Sequence, residues 1–456
     1  MLNPRSLYIF RLRTLLNRIY VVGGIILYIK LYNYLYIHWL APTFSYAGMT
    51  YHPPALSMLV LAWVLAVLPS LWMPVKVTRT SQIPYWFIYL LVYVPSMFSP
   101  LYMALQSNYR LAILMACLVA GFLIISCCYL IPPIRLTHHL IPVSVFWPAV
   151  IALTVLLDLW VIAIYHSHIH LVGFNKIYAL RSQASRLGQG TGVGYAMTIL
   201  SSLLDPLYIA YGLVKKRNLP LVLGGLNQLL LYSVGGSKAV VLSAVIILGI
   251  FILMRKSGWD FGVRLIGATL AVLGALVIIS FFSHASIILR YAISILFSRT
   301  FANGGYTTGL YSSFFQSHPL TYLSNVHGIG FFVHYPYSEP LGLVIGYGAV
   351  GSRTLDANAH FWAMDGLAAF GPPGIVIISI LCALVFWVLD SAASRHDIVF
   401  CSLTVAFETI VLTNTSLFTT LISGGLALLV LLLMGMPAIK SMDDTQRHPL
   451  AETISP

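Results

Sequence analysis

Charged side chains are scarce in this sequence. Of its 456 residues only 8% are Asp, Glu, Lys or Arg, whereas 59% are hydrophobic and the mean hydropathy is +0.89. Soluble domains carry roughly 25% charged residues. A chain with so few charges cannot cover its whole surface with polar groups. The composition therefore excludes an ordinary soluble protein and indicates a membrane protein whose main solvent is lipid.

The cysteines do not indicate a disulfide or a metal site outside the membrane. All five cysteines fall within apolar runs, and their spacing does not match a metal site. Because none lies in a long polar segment, none is placed for pairing in an oxidising compartment. These cysteines are Cys117, Cys127, Cys128, Cys382 and Cys401. A disulfide-stabilised scaffold and a cysteine metal centre are both excluded.

Long apolar runs are what the sequence has in abundance. A helix needs about 20 apolar residues to cross a bilayer, and twelve stretches approach that length. They are 19–40, 54–75, 84–104, 110–131, 144–165, 192–213, 219–234, 239–254, 264–283, 366–389, 398–415 and 420–437. The pair 219–234 and 239–254 is divided because Lys238 would be costly at the bilayer centre. We predict an all-α fold, a polytopic bundle of about twelve spans that makes residues 1–456 one integral membrane domain.

The positive charges predict the orientation of this bundle. Lysine and arginine are enriched on the cytoplasmic side of membrane proteins. With the N-terminus in the cytoplasm, sixteen of the 25 Lys and Arg residues fall inside and eight outside. Both termini, including the tail 438–456, are then cytoplasmic, and two long loops, 166–191 and 284–365, lie outside. The net charge of +13 is thus a topology signal, and we expect no nucleic-acid partner.

The first long loop carries an aromatic and a cation at helical spacing. Tyr178 and Arg181 are three residues apart and would share one face of a helix on the membrane surface. Arg186 follows in the same loop. Solvated charges or lipid head-group contacts are the alternative interpretation of both arginines. Residues 166, 168 and 170 are alternating histidines, which would share a face only in a strand, so we predict no metal site.

The second long loop combines cations, aromatic rings and polar groups. Its candidate binding residues are Arg290, Arg299, Tyr311, His318, Asn358, His360 and Asp365. Aromatic rings next to polar side chains suit the faces of sugars. The guanidinium fork matches the oxyanions of a diphosphate. The alternative is an interfacial aromatic belt, which accounts for some of the tyrosines.

Carboxylates are few on the outside. The predicted outer loops do not contain an Asp-x-Asp pair of the kind that holds Mg²⁺ on a diphosphate. Cations would therefore have to neutralise such a substrate, and Arg181, Arg299 and Lys238 are the ones placed near membrane ends. Within the spans lie Asp158 and Asp205, together with Glu408. An intramembrane acid is a candidate functional group, but pairing with a polar neighbour is the equal alternative.

Several stretches resemble a known family. The segments YALRSQASRLGQGTG, GGSKAVVLSAVIILGIFILMRK and DANAHFWAMDGLAAFGPPG, together with the segment around Arg299, are similar to the Wzy O-antigen polymerases. That family also has twelve spans, cytoplasmic termini and two large periplasmic loops. Its pattern of Arg, ten residues and Gly in each loop fits Arg181 and Gly192. The pair Arg299 and Gly309 is one residue short of it.

The resemblance implies a GT-C-type membrane glycosyltransferase in the bacterial inner membrane. Such an enzyme polymerises undecaprenyl diphosphate-linked oligosaccharide repeat units in the periplasm, without metal or cofactor, alongside a chain-length regulator protein. Arg181 and Arg299, helped by Lys238, would stabilise the diphosphate leaving group. His360 is the preferred base, with His318 and Asp365 as alternatives. An O-antigen ligase and a lipid-linked oligosaccharide flippase are the rival functions.

Overall fold

The computed structural model describes residues 4–135, 141–169, 184, 186–254, 260–282, 286–326 and 328–440. Helices dominate these ranges, which contain no β-strand. In chain order they are α1 (Pro4–Leu35), α2 (Leu56–Val67), α3 (Gln82–Met103), α4 (Asn108–Cys127), α5 (Val143–Tyr165), α6 (Val193–Val214), α7 (Asn218–Gly235), α8 (Lys238–Met254), α9 (Phe261–Phe282), α10 (Ile287–Ile293), α11 (Asn303–Phe314), α12 (Leu341–Val350), α13 (Trp362–Leu367), α14 (Pro372–Ala393), α15 (Ile398–Thr404), α16 (Ala406–Leu412), α17 (Leu417–Ile422) and α18 (Leu426–Gly435).

Eight helical segments within these ranges are long and apolar enough to cross a membrane. They are Leu12–Ala47, Gln82–Met103, Asn108–Leu130, Val143–Tyr165, Val193–Val214, Phe261–Phe282, Pro372–Ala393 and Leu417–Gly435. This confirms the predicted helical membrane bundle. The other four predicted spans coincide with helices that are too short or too polar for that description, namely α2, α7, α8 and the pair α15–α16.

The surface of α14 shows how the bundle divides lipid from core. Ile377, Ile380 and Leu384 are exposed along one face, whereas Ile378 and Phe386 on the opposite face are buried. In water this exposed stripe would be unfavourable, since each buried apolar side chain gains about 1.5–3 kcal/mol. Against lipid it costs nothing, so the stripe marks a bilayer-facing surface.

The segment 284–365, for which the sequence predicts a large periplasmic loop containing short helices, is largely helical where the structure describes it. α10 leads into a π-helix, Ser294–Ala302, which is followed directly by α11. The residues of α11 are buried from Gly304 to Ser312. Only the stretch after α11 and the connection between α12 and α13 have the irregular backbone expected of a loop. The hydropathy of α11 is too low to signal a buried helix.

Glycines explain how a weakly apolar helix becomes buried. A Cβ atom at Gly304 or Gly305 would overlap the backbone carbonyls of Leu91 and Pro95 on α3, and one at Gly309 would lie 2.9 Å from the sulfur of Met103. Small residues at this spacing let two backbones approach closely. Since Leu91 lies near the middle of α3, the first turn of α11 reaches the mid-length of a candidate span.

The segment α13, which is π-helical from Trp362 to Leu367, folds back along α14. The backbones of Gly366 and Gly374 are in direct contact, and the indole N–H of Trp362 donates to Ser379 Oγ at 2.8 Å. Gly371, with φ +65°, provides the turn between the two helices. Residues 357–362, which lead into α13, therefore pack inside the bundle and contact α11.

Candidate functional site

A cavity of about 220 Å³ lies where four segments of the bundle meet. Its walls are the helical turns after α1 (residues 44–49), the end of the π-helix (298–299), the first turns of α11 (303–307) and the loop after α12 (350–357). Pockets for drug-sized ligands are typically about 300–1,000 Å³. A cavity of this size can enclose only the reacting end of a long substrate.

The wall after α1 is fixed by one hydrogen bond and one turn. Tyr306 on α11 donates its hydroxyl to the carbonyl oxygen of Ala47 at 2.5 Å. Gly48 follows with φ +78°, a conformation that side chains disfavour, and it faces Val350 of the opposite wall. Both contacts hold the segment 44–49 over the start of α11.

Arg299 is the cation of the cavity. It stands near the end of the π-helix, and its side chain is exposed and lines the cavity. Within the part of the chain that the structure describes, the side chain of Arg299 makes neither an ion pair nor a hydrogen bond. An unpaired guanidinium at a cavity wall is suited to an anionic ligand.

Asp356 is the carboxylate of the same cavity. Its side chain is exposed, and Oδ2 accepts a hydrogen bond of 2.7 Å from Asn358 Nδ2. Partial burial raises the pKa of Asp356 above its ordinary value, and the Asn358 hydrogen bond opposes that rise. The cavity thus has a cation on one wall and a hydrogen-bonded acid on another, without an ion pair between them.

Tyr311 and His360 lie behind the cavity wall. The Tyr311 hydroxyl donates to the carbonyl of Ala357 at 3.1 Å, and both residues are buried. His360 is fully buried, with Nε2 2.9 Å from Thr308 Oγ1 and 3.1 Å from the carbonyl of Gly304. Neither side chain reaches a surface that a sugar can contact. They hold the loop 350–357 on α11.

Asp365 is also buried, and its placement differs from the expected position beside a substrate. Its Oδ2 accepts the backbone N–H of Leu417 at 2.6 Å, whereas Oδ1 has no partner among the described residues. The carboxylate satisfies an N–H at the start of α17 that has no partner inside the helix. Its contact in the structure is with a neighbouring helix.

Three further predicted residues are exposed but do not line the cavity. His318 stacks on Phe314 with ring centroids 3.8 Å apart, and its Nδ1 lies 2.9 Å from the Phe314 carbonyl. Arg290 is exposed on α10, and Arg186 is exposed ahead of α6. The fold does not bring any of them to the wall that holds Arg299 and Asp356.

The remaining predicted residues are Tyr178, Arg181 and Lys238. Tyr178 and Arg181 lie outside the described residues. Lys238 is the first residue of α8, directly after the turn at Gly236 (φ +59°), and its side chain is not described. The two glycines of the pattern of Arg, ten residues and Gly serve the local backbone and the helix packing. Gly192 (φ +71°) precedes α6, and Gly309 packs on α3.

Of the three intramembrane acids, Asp205 has a polar partner on another helix that the sequence could not name. Asn227 on α7 donates to Asp205 Oδ1 at 2.8 Å, whereas Asp158 Oδ1 has no hydrogen-bond partner within the described ranges. Glu408 on α16 is buried beside Gly425, and neither of its carboxylate oxygens has a partner within the described ranges. None of these acids lines the cavity.

The sequence reasoning missed Asp356, and also the contribution of Asn303 and Tyr306 to the cavity. Asp356 is one of the few acids in the predicted outer loops, and no motif sets it apart from Glu339 or Asp365. Its position two residues before Asn358 was the available signal, since Asp and Asn side chains often bond locally in turns. Tyr306 and Asn303 follow Arg299 within two helical turns, and only the packing of α11 shows that they share its wall.

Comparison with known proteins does not add a relative. No family model or curated protein matches the chain significantly, nor does any solved structure.

Proposed function

We propose that this protein is a membrane glycosyltransferase that extends a lipid diphosphate-linked oligosaccharide, as an O-antigen polymerase does. The observation that carries the proposal is the cavity in which Arg299, without an ion pair in the described part of the chain, faces the same space as Asp356. In such a pair the arginine would bind an anion and the carboxylate would bind a hydroxyl. A glycosyl diphosphate supplies the anion, and an acceptor sugar supplies the hydroxyl.

The reaction requires charge stabilisation at the leaving group. When the acceptor oxygen attacks the anomeric carbon, the bond to the diphosphate breaks and negative charge increases on its oxygens. Arg299 would bind those oxygens through its planar fork. A well-placed electrostatic contact of this kind contributes about 10²–10³ in rate. Arg181 and Lys238 are proposed as further cations on the sequence argument alone.

The membrane would position the substrate. A long polyprenyl chain is as apolar as the exposed stripes of the bundle, such as the one on α14. With the chain in the bilayer, the diphosphate is confined to the depth at which the cavity opens, which raises its effective concentration. The donor is proposed to be the growing glycan on undecaprenyl diphosphate, and the acceptor one repeat unit on the same lipid.

The proposed setting follows the sequence prediction. Twelve spans of the GT-C type, cytoplasmic termini, a periplasmic cavity and location in a bacterial inner membrane belong to the proposal. So does a separate protein partner that sets chain length. No cofactor or metal is proposed, because arginine takes the role that Mg²⁺ has on diphosphates elsewhere. Added EDTA should then leave turnover unchanged.

The test uses the full chain, purified into nanodiscs and supplied with undecaprenyl diphosphate-linked repeat units. A ladder of products is expected. Arg299→Ala should reduce elongation about 10²–10³-fold, and Arg299→Lys should recover only part of it because the ammonium is a point charge. Arg353→Ala is the matched control. Arg353 is a neighbouring exposed arginine that packs 5.3 Å over the Tyr347 ring and does not line the cavity.

The outcomes separate the rival functions. With lipid A–core added, transfer only to that acceptor would identify a ligase, and movement of unchanged substrate across the bilayer of sealed proteoliposomes would identify a flippase. Equal elongation by the Arg299→Ala and Arg353→Ala variants would remove Arg299 from the mechanism.

A further inference from the structure

The acid of the cavity has the geometry of a proton acceptor. Among the described residues that line the cavity, Asp356 is the only Asp, Glu or His side chain. Of the bases expected from the sequence, His360 and Asp365 are buried and bonded to other helices, and His318 is exposed outside the cavity. A base must come within hydrogen-bond reach of the hydroxyl whose proton it takes. Among the described carboxylates and imidazoles, only Asp356 lines this cavity and can meet that condition.

Two contacts orient the Asp356 carboxylate. Asn358 Nδ2 donates to Oδ2 at 2.7 Å, and Oδ1 lies against the Cα of Gly342 on α12. A Cβ atom at position 342 would overlap Oδ1, so glycine is required for the carboxylate to keep this position. A carboxylate has about four acceptor sites. Asn358 occupies one, and others remain for a substrate hydroxyl.

The surroundings also tune the acid. Partial burial raises the pKa of Asp356, and Asn358 lowers it by bonding the charged form. A carboxylate with a raised pKa is a stronger base than one in water, yet it stays ionised at neutral pH if a hydrogen bond supports it. Loss of the Asn358 amide should therefore move the pKa of Asp356 upwards.

We infer that Asp356 is the general base of the proposed transfer and that Asn358 is its positioning residue. This inference rests on the proposed function. The acceptor oxygen forms its bond to the anomeric carbon while its proton passes to Asp356. The bond between that carbon and the diphosphate breaks, and its electron pair leaves with the diphosphate beside Arg299. The proton later returns to water.

The experiment measures elongation and substrate binding by the full chain in nanodiscs. Asp356→Asn should reduce turnover about 10²–10⁴-fold, while the Kd for the lipid-linked repeat unit changes less than about threefold. Glu339→Gln is the matched control, because Glu339 is an exposed acid of the same region that does not line the cavity. Gly342→Ala should also reduce turnover, since its methyl group would displace Oδ1.

The pH profile distinguishes a base from a structural acid. Turnover should rise with pH as Asp356 loses its proton, and Asn358→Ala should shift this acidic limb to higher pH. An unshifted limb in a folded Asn358→Ala variant would overturn the inference, as would an Asp356→Asn variant within tenfold of the parent. If Asp356→Asn does not fold, the Asn358→Ala profile decides. Failure of the parent to elongate at all would overturn the proposed function and the inference together, whereas loss with Arg299→Ala but not with Asp356→Asn would overturn the inference alone.

Discussion

The carboxylate of Asp365 accepts a hydrogen bond from the backbone N–H of Leu417, with 2.6 Å between Oδ2 and the nitrogen. This bond joins α13, which folds back on α14, to the first turn of α17. The acid lies only nine residues after Asp356, yet one is fully buried and the other exposed at a cavity. Two carboxylates of one segment therefore have different tasks, one structural and one proposed to be chemical.

Replacement of Asp365 should affect stability first. Asp365→Ala removes the acceptor at the start of α17, and loss of such a cap costs about 0.5–2 kcal/mol. Asp365→Asn keeps one acceptor oxygen and should lose less. Thermal unfolding in detergent measures the difference. An Asp365→Ala variant that unfolds at the parent's temperature but does not elongate would return Asp365 to the substrate site.

Replacement of His360 and replacement of Arg299 should have different effects on stability and activity. His360 contacts Thr308 and Gly304 inside the packing, so His360→Ala should lower the unfolding temperature and the activity together, by roughly 1–3 kcal/mol of stability for the unsatisfied partners. Arg299→Ala should lower activity alone, because its side chain is exposed. A His360→Gln variant that is as stable as the parent but inactive would support a direct catalytic role for the histidine.

The contact between α3 and α11 should be sensitive to one methyl group. Gly305→Ala places a Cβ against the carbonyl of Pro95, and overpacking of this kind costs about 1–3 kcal/mol. Gly274→Ala on α9 is the control, since nothing lies within 4 Å of a Cβ there. Unfolding temperatures of the two variants should differ clearly. Equal values would mean that α11 can move away from α3 at little cost.

The orientation can be tested with single cysteines. In a background where all five native cysteines are replaced by serine or alanine, Ser107→Cys and Asn218→Cys place single thiols at exposed positions before α4 and at the start of α7. A membrane-impermeant maleimide added to intact cells should label residue 107, and should label residue 218 only after permeabilisation. Labelling in the opposite order would invert the topology deduced from the charges.

The sequence by itself determined the class of the protein. Its small charged fraction and its long apolar runs require lipid as the solvent, and every run predicted to span contains helix in the described ranges. Hydropathy determines this because the transfer of a backbone segment into lipid depends on its own side chains and its own hydrogen bonds. The arginine at position 299 could be singled out from the sequence because Lys and Arg are scarce on the predicted outer side.

Only the tertiary structure decided which side chains meet. Helix α11 contains Gly, Ser, Thr and Tyr residues that do not signal burial, and it is buried because Gly304, Gly305 and Gly309 admit the backbone of α3. The choice between Asp356 and Asp365 depended on where α13 folds back. Both acids have the same chemistry and similar neighbours in the chain. Their roles follow from long-range packing, which local sequence does not specify.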